Sequence, residues 1–353
     1  MANPTLSQLR SHAIDHSLFT PTTLQATINK LGFVQADPIR SPATAQDLTL
    51  RQRVKNYRAG DLERRYAKLD IEEDYLYAYG FLPREIWQLL HPRTATSLPK
   101  LEKQVLAIVK DSGEIHPREL EAHFGSDRVI NAWGGHSKAT TCALDNLHHR
   151  GLLRIARREK GIRVYQATPP FTESMSPMDR SRRLIMVLAD IFAPAPLKSL
   201  TEVIARLRYS ANGLSNTRTA LTELLNTGAL VTATSDGVTY IAPSFAVAAE
   251  IEQVVRFLAP FDPLVWDRRR FEHLWGWSYR FEAYTPVSKR VRGYYSMPLL
   301  YGSEMIGWAN AQVVDHQLKV EPGFVQARPK GAAFSRQLNG EIERLSQFLK
   351  LSG

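Results

Sequence analysis

A single cysteine, Cys142, stands in a chain of 353 residues. That excludes an internal disulfide framework and a cysteine-rich zinc site. No apolar run approaches the roughly 20 residues that a membrane helix needs. The opening MANPTLSQLR lacks the basic start and apolar centre of a secretory leader. No G-x-x-x-x-G-K pattern is there to cradle a phosphate, and there is no low-complexity segment. His136, His148 and His149 have no carboxylate or thiol at metal-ligand spacing, so phosphate contact or plain surface suits them better. No metal and no cofactor is expected. A soluble cytoplasmic protein working at the bacterial nucleoid is.

The chain does have positive charge. Lys and Arg number 45 against 35 Asp and Glu, a formal net charge of +10. An excess of this size favours a polyanionic partner, DNA above all. The length allows two or three domains of about 100–200 residues each.

Self-similarity organises the chain. Residues 143–153 read ALDNLHHRGLL and residues 220–230 read ALTELLNTGAL. Both fit A-L-x-x-L-x-x-x-G-x-L: a helix with leucines on one face, ended by a glycine able to turn left-handed. A strand, a Gly-containing turn and a second strand follow each, around Gly161 and at Asp236-Gly237. Two helical patterns precede each, at 100–110 and 117–124, then at 178–192 and 199–208. Three helices and a two-stranded hairpin make the order of a winged helix-turn-helix. A weaker copy opens the chain, with helices at 5–14 and 22–31 running into Gly32. The stretch GFVQADPIR (32–40) is expected to be the strand after that unit's last helix. Period-2 alternation places Val34 and Ala36 on one face, and Phe33, Gln35 and Asp37 on the other. Pro38 ends the pairing.

From Pro260 onward the chain turns dense in aromatics, arginine and turn residues. Runs such as YRFEAY (279–284) and RVRGYYSMPLLY (290–301) read as strands, and 339–350 as a closing helix. The fold class is therefore α+β: three tandem winged helix-turn-helix units, then a small β-barrel or sheet. The expected domains are 1–95, 96–170, 171–250 and 251–353. Linkers fall at HPRTATSLP (91–99) and ATPPFTESMSP (167–177).

The second unit's hairpin gathers Arg150, Arg154, Arg157, Arg158, Lys160 and Arg163, with Glu159 the local acid. Such a tip suits phosphate contacts; a charged edge strand that blocks aggregation is the alternative for any one residue. Arg180, Arg182 and Arg183 open the third unit. Lys289, Arg290 and Arg292 lie among Tyr284, Tyr294 and Tyr295, a mixture that can grip backbone and stack on bases or simply fill a core. Arg40, Arg51 and Arg53, just beyond the first strand, join Arg154, Arg157, Arg158, Lys160, Lys289, Arg290 and Arg292 as DNA-binding candidates. Glu72, Glu73 and Asp74 read as a solvated acidic turn, and Cys142 as a buried thiol.

An amide and a carboxylate on one strand face can be purely structural: Asp37 capping a turn, Gln35 bonding backbone. They also suit hydrolysis of an N-glycosidic bond. An N7-alkylated guanine is already cationic and leaves without strong protonation. The enzyme must answer an oxocarbenium-like sugar and deliver a water. A carboxylate does the first and polarises the second, and an amide holds the water with a donor and an acceptor.

The stretch GFVQADPIRSPATAQD (32–47) resembles the winged-helix DNA glycosylases of the AlkZ/YcaQ type. So do DYLYAYGFLP (74–83), APFDPLVWDRRRFEHLWGW and YTPVSKRVRGYYSMPLLYG. The resemblance runs in order over nearly the whole chain. It implies a positively charged cradle of three winged helices and a β-barrel. It also implies removal of bulky N7-guanine adducts and unhooking of interstrand crosslinks in double-stranded DNA. The family's Gln-x-Gln or Gln-x-Asp motif falls on Gln35-Ala36-Asp37. The resemblance gives Asp37 water activation or cation stabilisation, and Gln35 placement of the water or sugar. Some relatives carry His-Glu where this chain has Tyr77-Ala78, which leaves Tyr77 as a candidate lesion or sugar contact. Some carry Gly-Arg-x-Asp where it has Gly307-Trp308-Ala309-Asn310. Lys30 is the one lysine near the motif, so water rather than an amine is the expected nucleophile. A crosslink ties its base to the opposite strand, so approach without full base flipping is expected. Nothing demands a dimer, and a monomer is expected. A non-catalytic winged-helix regulator or lesion sensor, or a protein-interaction scaffold, would keep the repeats and need neither Gln35 nor Asp37.

Overall fold

The computed structural model describes residues 3–91, 93, 97–125, 127–130, 135–171, 175–245 and 251–351. Parts of both expected linkers, and the boundary near 250, lie outside the described residues. Helix α1 (Leu6–Ser17) comes first. Then α2 (Leu24–Leu31), β1 (Val34–Gln35), α3 (Ala45–Leu50), α4 (Asp61–Arg65), β2 (Ile71–Tyr75), β3 (Tyr79–Pro83) and α5 (Arg84–Leu90) make the first repeat. The second holds α6 (Lys100–Ser112), β4 (Glu114–Ile115), α7 (Pro117–Phe124), β5 (Arg128–Ile130), β6 (His136–Lys138), α8 (Ala139–His149), β7 (Leu153–Glu159) and β8 (Ile162–Ala167). The third holds α9 (Pro177–Ile191), β9 (Ala195–Pro196), α10 (Leu197–Ser210), α11 (Thr217–Asn226), β10 (Val231–Ser235) and β11 (Val238–Ala242).

One topology underlies all three: helix, short strand, two helices, hairpin. The last strand always sits centrally, in the orders β1-β3-β2, β4-β8-β7 and β10-β11-β9. The second repeat inserts the extra hairpin β5–β6. In the first repeat β1 follows the first helix of the three, not the last as the sequence suggested. Helices α3 and α4 span only six and five residues, too short to show a period.

The C-terminal region adds β12 (Val255–Phe257), α12 (Pro263–Trp266), α13 (Arg268–Trp275), β13 (Met297–Tyr301), β14 (Glu304–Val314), β15 (Gln317–Phe324) and α14 (Ala332–Leu349). Its four strands form one open antiparallel sheet in chain order, a half-barrel. The run 279–284, expected as strand, is coil and turn, and 290–296 is irregular. Phe334 of α14 packs edge-on against Tyr301 at 5.2 Å.

Among the described residues, the buried apolar side chains fall into three clusters, and β1 lies between two of them. Val34 joins the core shared with the second repeat and the C-terminal sheet. Phe33 joins the core shared with α5 and the third repeat. The third cluster ties α1 to α12 and α13.

The acidic run is not solvated. Glu72, Glu73 and Asp74 are 0%, 0% and 2% exposed. Carboxylates so far from water need cationic partners, and the partners come from distant sequence. Glu72 meets Arg84 at 2.5 Å and Arg154 at 2.7 Å. Glu73 accepts both ends of Arg158, at 2.7 and 2.5 Å, and the Tyr79 hydroxyl at 3.0 Å. Asp74 accepts from Trp87 Nε1 at 2.9 Å and from Arg93 at 3.0 Å, and pairs with His91 Nε2 at 2.8 Å. Burial alone would raise the Asp74 pKa, but His91 and Arg93 hold it well below the usual range. His148, expected at the surface, is buried beside Leu153, and His149 faces Arg93. Cys142 is half-buried.

Burial lowers His91 from 6.5 to about 4 against the pull of Asp74. Burial also raises Glu72 from 4.5 to about 7 despite its arginines. The two act oppositely on acidification. Between pH 6.5 and 4 the unfolded chain protonates His91 and the folded chain does not, so this group lowers stability as pH falls. Between pH 7 and 4.5 the folded chain protonates Glu72 first, so that group raises it. Urea unfolding at pH 7 and pH 5 reads both. Glu72→Gln should lose more stability on acidification than wild type, and His91→Gln less. The same pH slope in all three proteins would reject this assignment.

Candidate active site

The Gln-x-Asp segment is held by main-chain geometry. Thr23 caps α2 by accepting from the Ala26 N–H at 3.2 Å. Gly32 ends the helix at φ 67°, a left-handed turn that glycine takes without strain. Phe33 and Val34 then enter opposite cores. β1 pairs antiparallel with β3, Val34 opposite Phe81 and Gln35 opposite Gly80. The Ala36 N–H donates to Tyr79 O at 2.9 Å and extends the ladder. A Cβ on Gly80 would lie 2.4 Å from Val34 O and 2.5 Å from the Phe33 ring. No side chain fits there, so the strand opposite Gln35 has to be glycine.

Gln35 and Asp37 are both half-buried. The Gln35 Oε1 is buried with no hydrogen-bond partner among the described residues. Asp37 is fixed from both sides: its N–H donates to Gln46 Oε1 at 3.2 Å, and its Oδ1 accepts from the Ile39 N–H at 2.9 Å. The second bond is a turn of the kind an aspartate makes before Pro38. Burial raises the Asp37 pKa and the Ile39 N–H opposes the rise. Structural capping by Asp37 therefore occurs, yet it engages one carboxylate oxygen and leaves the other available.

Two hollows border the segment after Asp37. One, of about 620 Å³, runs past Pro38, Arg40, Gln46, Arg158 and Lys160. The other, of about 330 Å³, is lined by Ser41, Tyr294, Tyr295, Asn310 and Lys319 among others.

Several residues read from sequence as DNA contacts lie elsewhere. Arg53 is fully buried and grips Asp262 through two bonds at 2.8 and 2.9 Å. Arg51 is buried against Glu341 at 2.5 Å. Neither presents a cation to DNA. Tyr77, proposed for the lesion, is 3% exposed and packs among Phe33, Phe192 and Trp266. Arg154 and Arg158 neutralise Glu72 and Glu73. Arg157, partly exposed, pairs with Glu114 and Glu159. Arg163 also reaches Glu73, at 3.9 Å, so three of the hairpin's six basic residues are docked on the first repeat. In the third repeat, Arg180 donates to the carbonyls of Leu89 and Asn212, and Arg182 pairs with Glu223. Arg292 is sandwiched by Trp277 and Trp308, 5.1 and 5.3 Å from the two rings. Arg290 lies over Tyr294. Arg40, Lys160 and Lys289 are exposed, and none has an ion pair among the described residues.

A sequence model of the DNA glycosylase AlkZ-like family matches residues 28–348. The chain belongs to the AlkZ-like DNA glycosylase family. It is accordingly a DNA glycosylase and a DNA-binding repair enzyme, which sets aside the non-catalytic regulator and the scaffold. A solved structure, Streptomyces sahachiroi DNA glycosylase AlkZ, superposes with a TM-score of 0.64 at 16% identity. The match covers 98% of this chain and 97% of that one, and speaks to the fold. Among the described residues, no group of three or more His, Cys, Asp or Glu is placed to hold a metal ion. Among the described residues, too, no helix is long and apolar enough to cross a membrane.

Two parts of the site escaped the sequence reading. Gln46 lies within the stretch that carried the resemblance, but only the fold shows that it holds the Asp37 N–H. The Glu73–Arg158 pair spans 85 residues and has no local signal. Two neighbouring residues at the tip of the basic hairpin should therefore respond differently. Arg158→Ala leaves a buried carboxylate short of a partner and should cost about 2 kcal/mol or more of stability in urea unfolding. Lys160→Ala should stay within about 0.5 kcal/mol of wild type while lowering the salt slope of duplex binding by roughly one. The reverse pattern would return Arg158 to the DNA surface.

Proposed function

We propose that the enzyme hydrolyses the N-glycosidic bond of N7-alkylated guanine in double-stranded DNA, interstrand crosslinks included. The observation that carries this is the Gln35–Asp37 pair itself. A half-exposed carboxylate with one oxygen free stands two residues from an amide oxygen with no protein partner. Asp37 stabilises the positive sugar and takes a proton from water. Gln35 places that water. N7 alkylation makes the base cationic, so it departs with the bonding electrons as a neutral molecule and needs no strong acid. Lys30, exposed and lying over the Phe19 ring at 4.1 Å, is turned to other contacts. This supports water as the nucleophile and a monofunctional reaction.

The three repeats are winged-helix units on this proposal, with boundaries near 95, 170 and 250. The common topology supports it, with a central last strand in each sheet. Helices α4, α8 and α11 hold the place of groove readers. DNA lies across the hollow beside Asp37, its phosphates met by Arg40 and Lys160, with Lys289 and the ring-stacked Arg290 and Arg292 as further contacts. A crosslinked guanine cannot swing fully out, so the lesion is met from a groove. The enzyme acts as a monomer at the nucleoid.

A duplex with one N7-methylguanine, treated with enzyme and then alkali, tests the reaction. Wild type should give strand scission. Asp37→Asn should reduce it about 100-fold or more while duplex affinity stays within about twofold. A nitrogen-mustard crosslink should resolve to single strands on a denaturing gel. Because burial raises Asp37, the acid limb of the rate should lie above the ordinary carboxylate value of 3.8. Wild-type binding without abasic sites on any N7 adduct would defeat the proposal.

A further inference from the structure

Gln46 touches the Gln-x-Asp segment directly. Its Oε1 accepts the Asp37 N–H at 3.2 Å. A side-chain amide accepts only through its oxygen, so this bond fixes which end faces Asp37. The Nε2 is left over. It donates to no protein group among the described residues, and it is not one of the buried polar atoms without a partner. It is therefore open to solvent, and Gln46 lines the hollow of about 620 Å³ beside Pro38 and Arg40. The helix that carries it is fixed. Ala45 is fully buried, and Asp47 accepts from the Thr44 hydroxyl at 2.8 Å and the Tyr57 hydroxyl at 2.7 Å.

The hollow is cationic, lined by Arg40, Arg64, Arg158 and Lys160 against Asp47 and Glu63. Both carboxylates already hold protein donors, Asp47 as above and Glu63 the Gly161 N–H at 2.7 Å. Arg64 and Arg158 are paired with Asp61 and Glu73. Arg40 and Lys160 are exposed, with no ion pair among the described residues. An amide donor beside two unpaired cations is a donor set for a phosphate oxygen. We propose that Gln46 is a positioning residue that ties Asp37 to a backbone phosphate flanking the lesion. Its Oε1 holds the Asp37 N–H, its Nε2 donates to the phosphate, and Arg40 and Lys160 supply the charge. A base that stays in the duplex has to be located through its own backbone. The phosphates on either side of its deoxyribose are the anions nearest C1′. One amide bonded to both partners sets the distance between the Asp37 carboxylate and the sugar.

This inference rests on the reading that DNA crosses this hollow with Asp37 at the sugar. Gln46→Glu tests it, because a carboxylate still accepts the Asp37 N–H and cannot donate to a phosphate. Three duplexes carry one tetrahydrofuran abasic analogue. One has a natural backbone; in the others the phosphate 5′ or 3′ to the analogue is an uncharged methylphosphonate. On the natural backbone Gln46→Glu should bind about tenfold more weakly than wild type. On one methylphosphonate duplex the difference should shrink to about twofold or less. The comparison is between duplexes for the same protein, so altered stability cannot produce it. Gln46→Ala, which loses both bonds, should slow single-turnover base release from N7-methylguanine duplex about tenfold at saturating enzyme. The same deficit on all three duplexes, no deficit on any, or a wild-type rate in Gln46→Ala overturns the inference. Any of these with active wild type leaves the Gln35–Asp37 reaction standing. A wild type that releases no base defeats that reaction, while a backbone-dependent deficit would still establish the phosphate contact.

Discussion

The fold depends on neutralising three consecutive carboxylates in a dry interior. Glu72, Glu73 and Asp74 lie on β2, an edge strand of the sheet whose other edge is β1. Unpaired, such groups would cost several kcal/mol each. Their arginines come from α5, from the segment after it and from the second repeat's hairpin. The first and second repeats are thereby locked together through charge as well as apolar contact. Arg53 with Asp262 and Arg51 with Glu341 make the corresponding locks to the C-terminal region. Buried ion pairs add little over well-packed apolar residues, but breaking one is severe. Their consequence here is positional: they fix the sheet, and the sheet fixes Gln35.

From that sheet the proposed chemistry follows by short steps. β1 carries Gln35 on the ladder opposite a glycine that admits no side chain. Pro38 stops the ladder, and the turn that Asp37 makes with Ile39 spends one carboxylate oxygen on structure. On the proposed reaction, the other oxygen meets the developing positive charge. Because the carboxylate is only half-buried, it remains accessible to a substrate while its environment strengthens its electrostatic effect.

Much of this was legible in sequence. The two A-L-x-x-L-x-x-x-G-x-L segments are α8 and α11 with their glycine ends, and the hairpins follow them. Val34 and Ala36 do share a core that Phe33 does not enter. What sequence could not show was partnership. Six basic residues in one hairpin look free when only Glu159 is near in the chain, yet Glu72 and Glu73 approach from the first repeat. The acidic run looked solvated for the same reason. Tyr77 became a candidate through its match to the His-Glu pair of some relatives, and three aromatic rings from other segments cover it. Short helices such as α3 carry no period, which misplaced β1. Net charge, likewise, counts cations without saying which are engaged. Arg40, Lys160 and Lys289 are exposed without ion pairs among the described residues, and the field of such groups is felt over roughly a Debye length of 8 Å at physiological salt.

The central claim is that Asp37 answers a positive charge on the deoxyribose. It is tested most directly by binding, with no turnover required. Two duplexes are compared, identical except for one abasic-site analogue: a cationic pyrrolidine ring in one and a neutral tetrahydrofuran in the other. Wild type should bind the cationic duplex at least about tenfold more tightly, and Asp37→Asn should lose that preference while binding the neutral duplex as before. Equal wild-type affinity for the two rings, or a preference that persists in Asp37→Asn, would contradict the account.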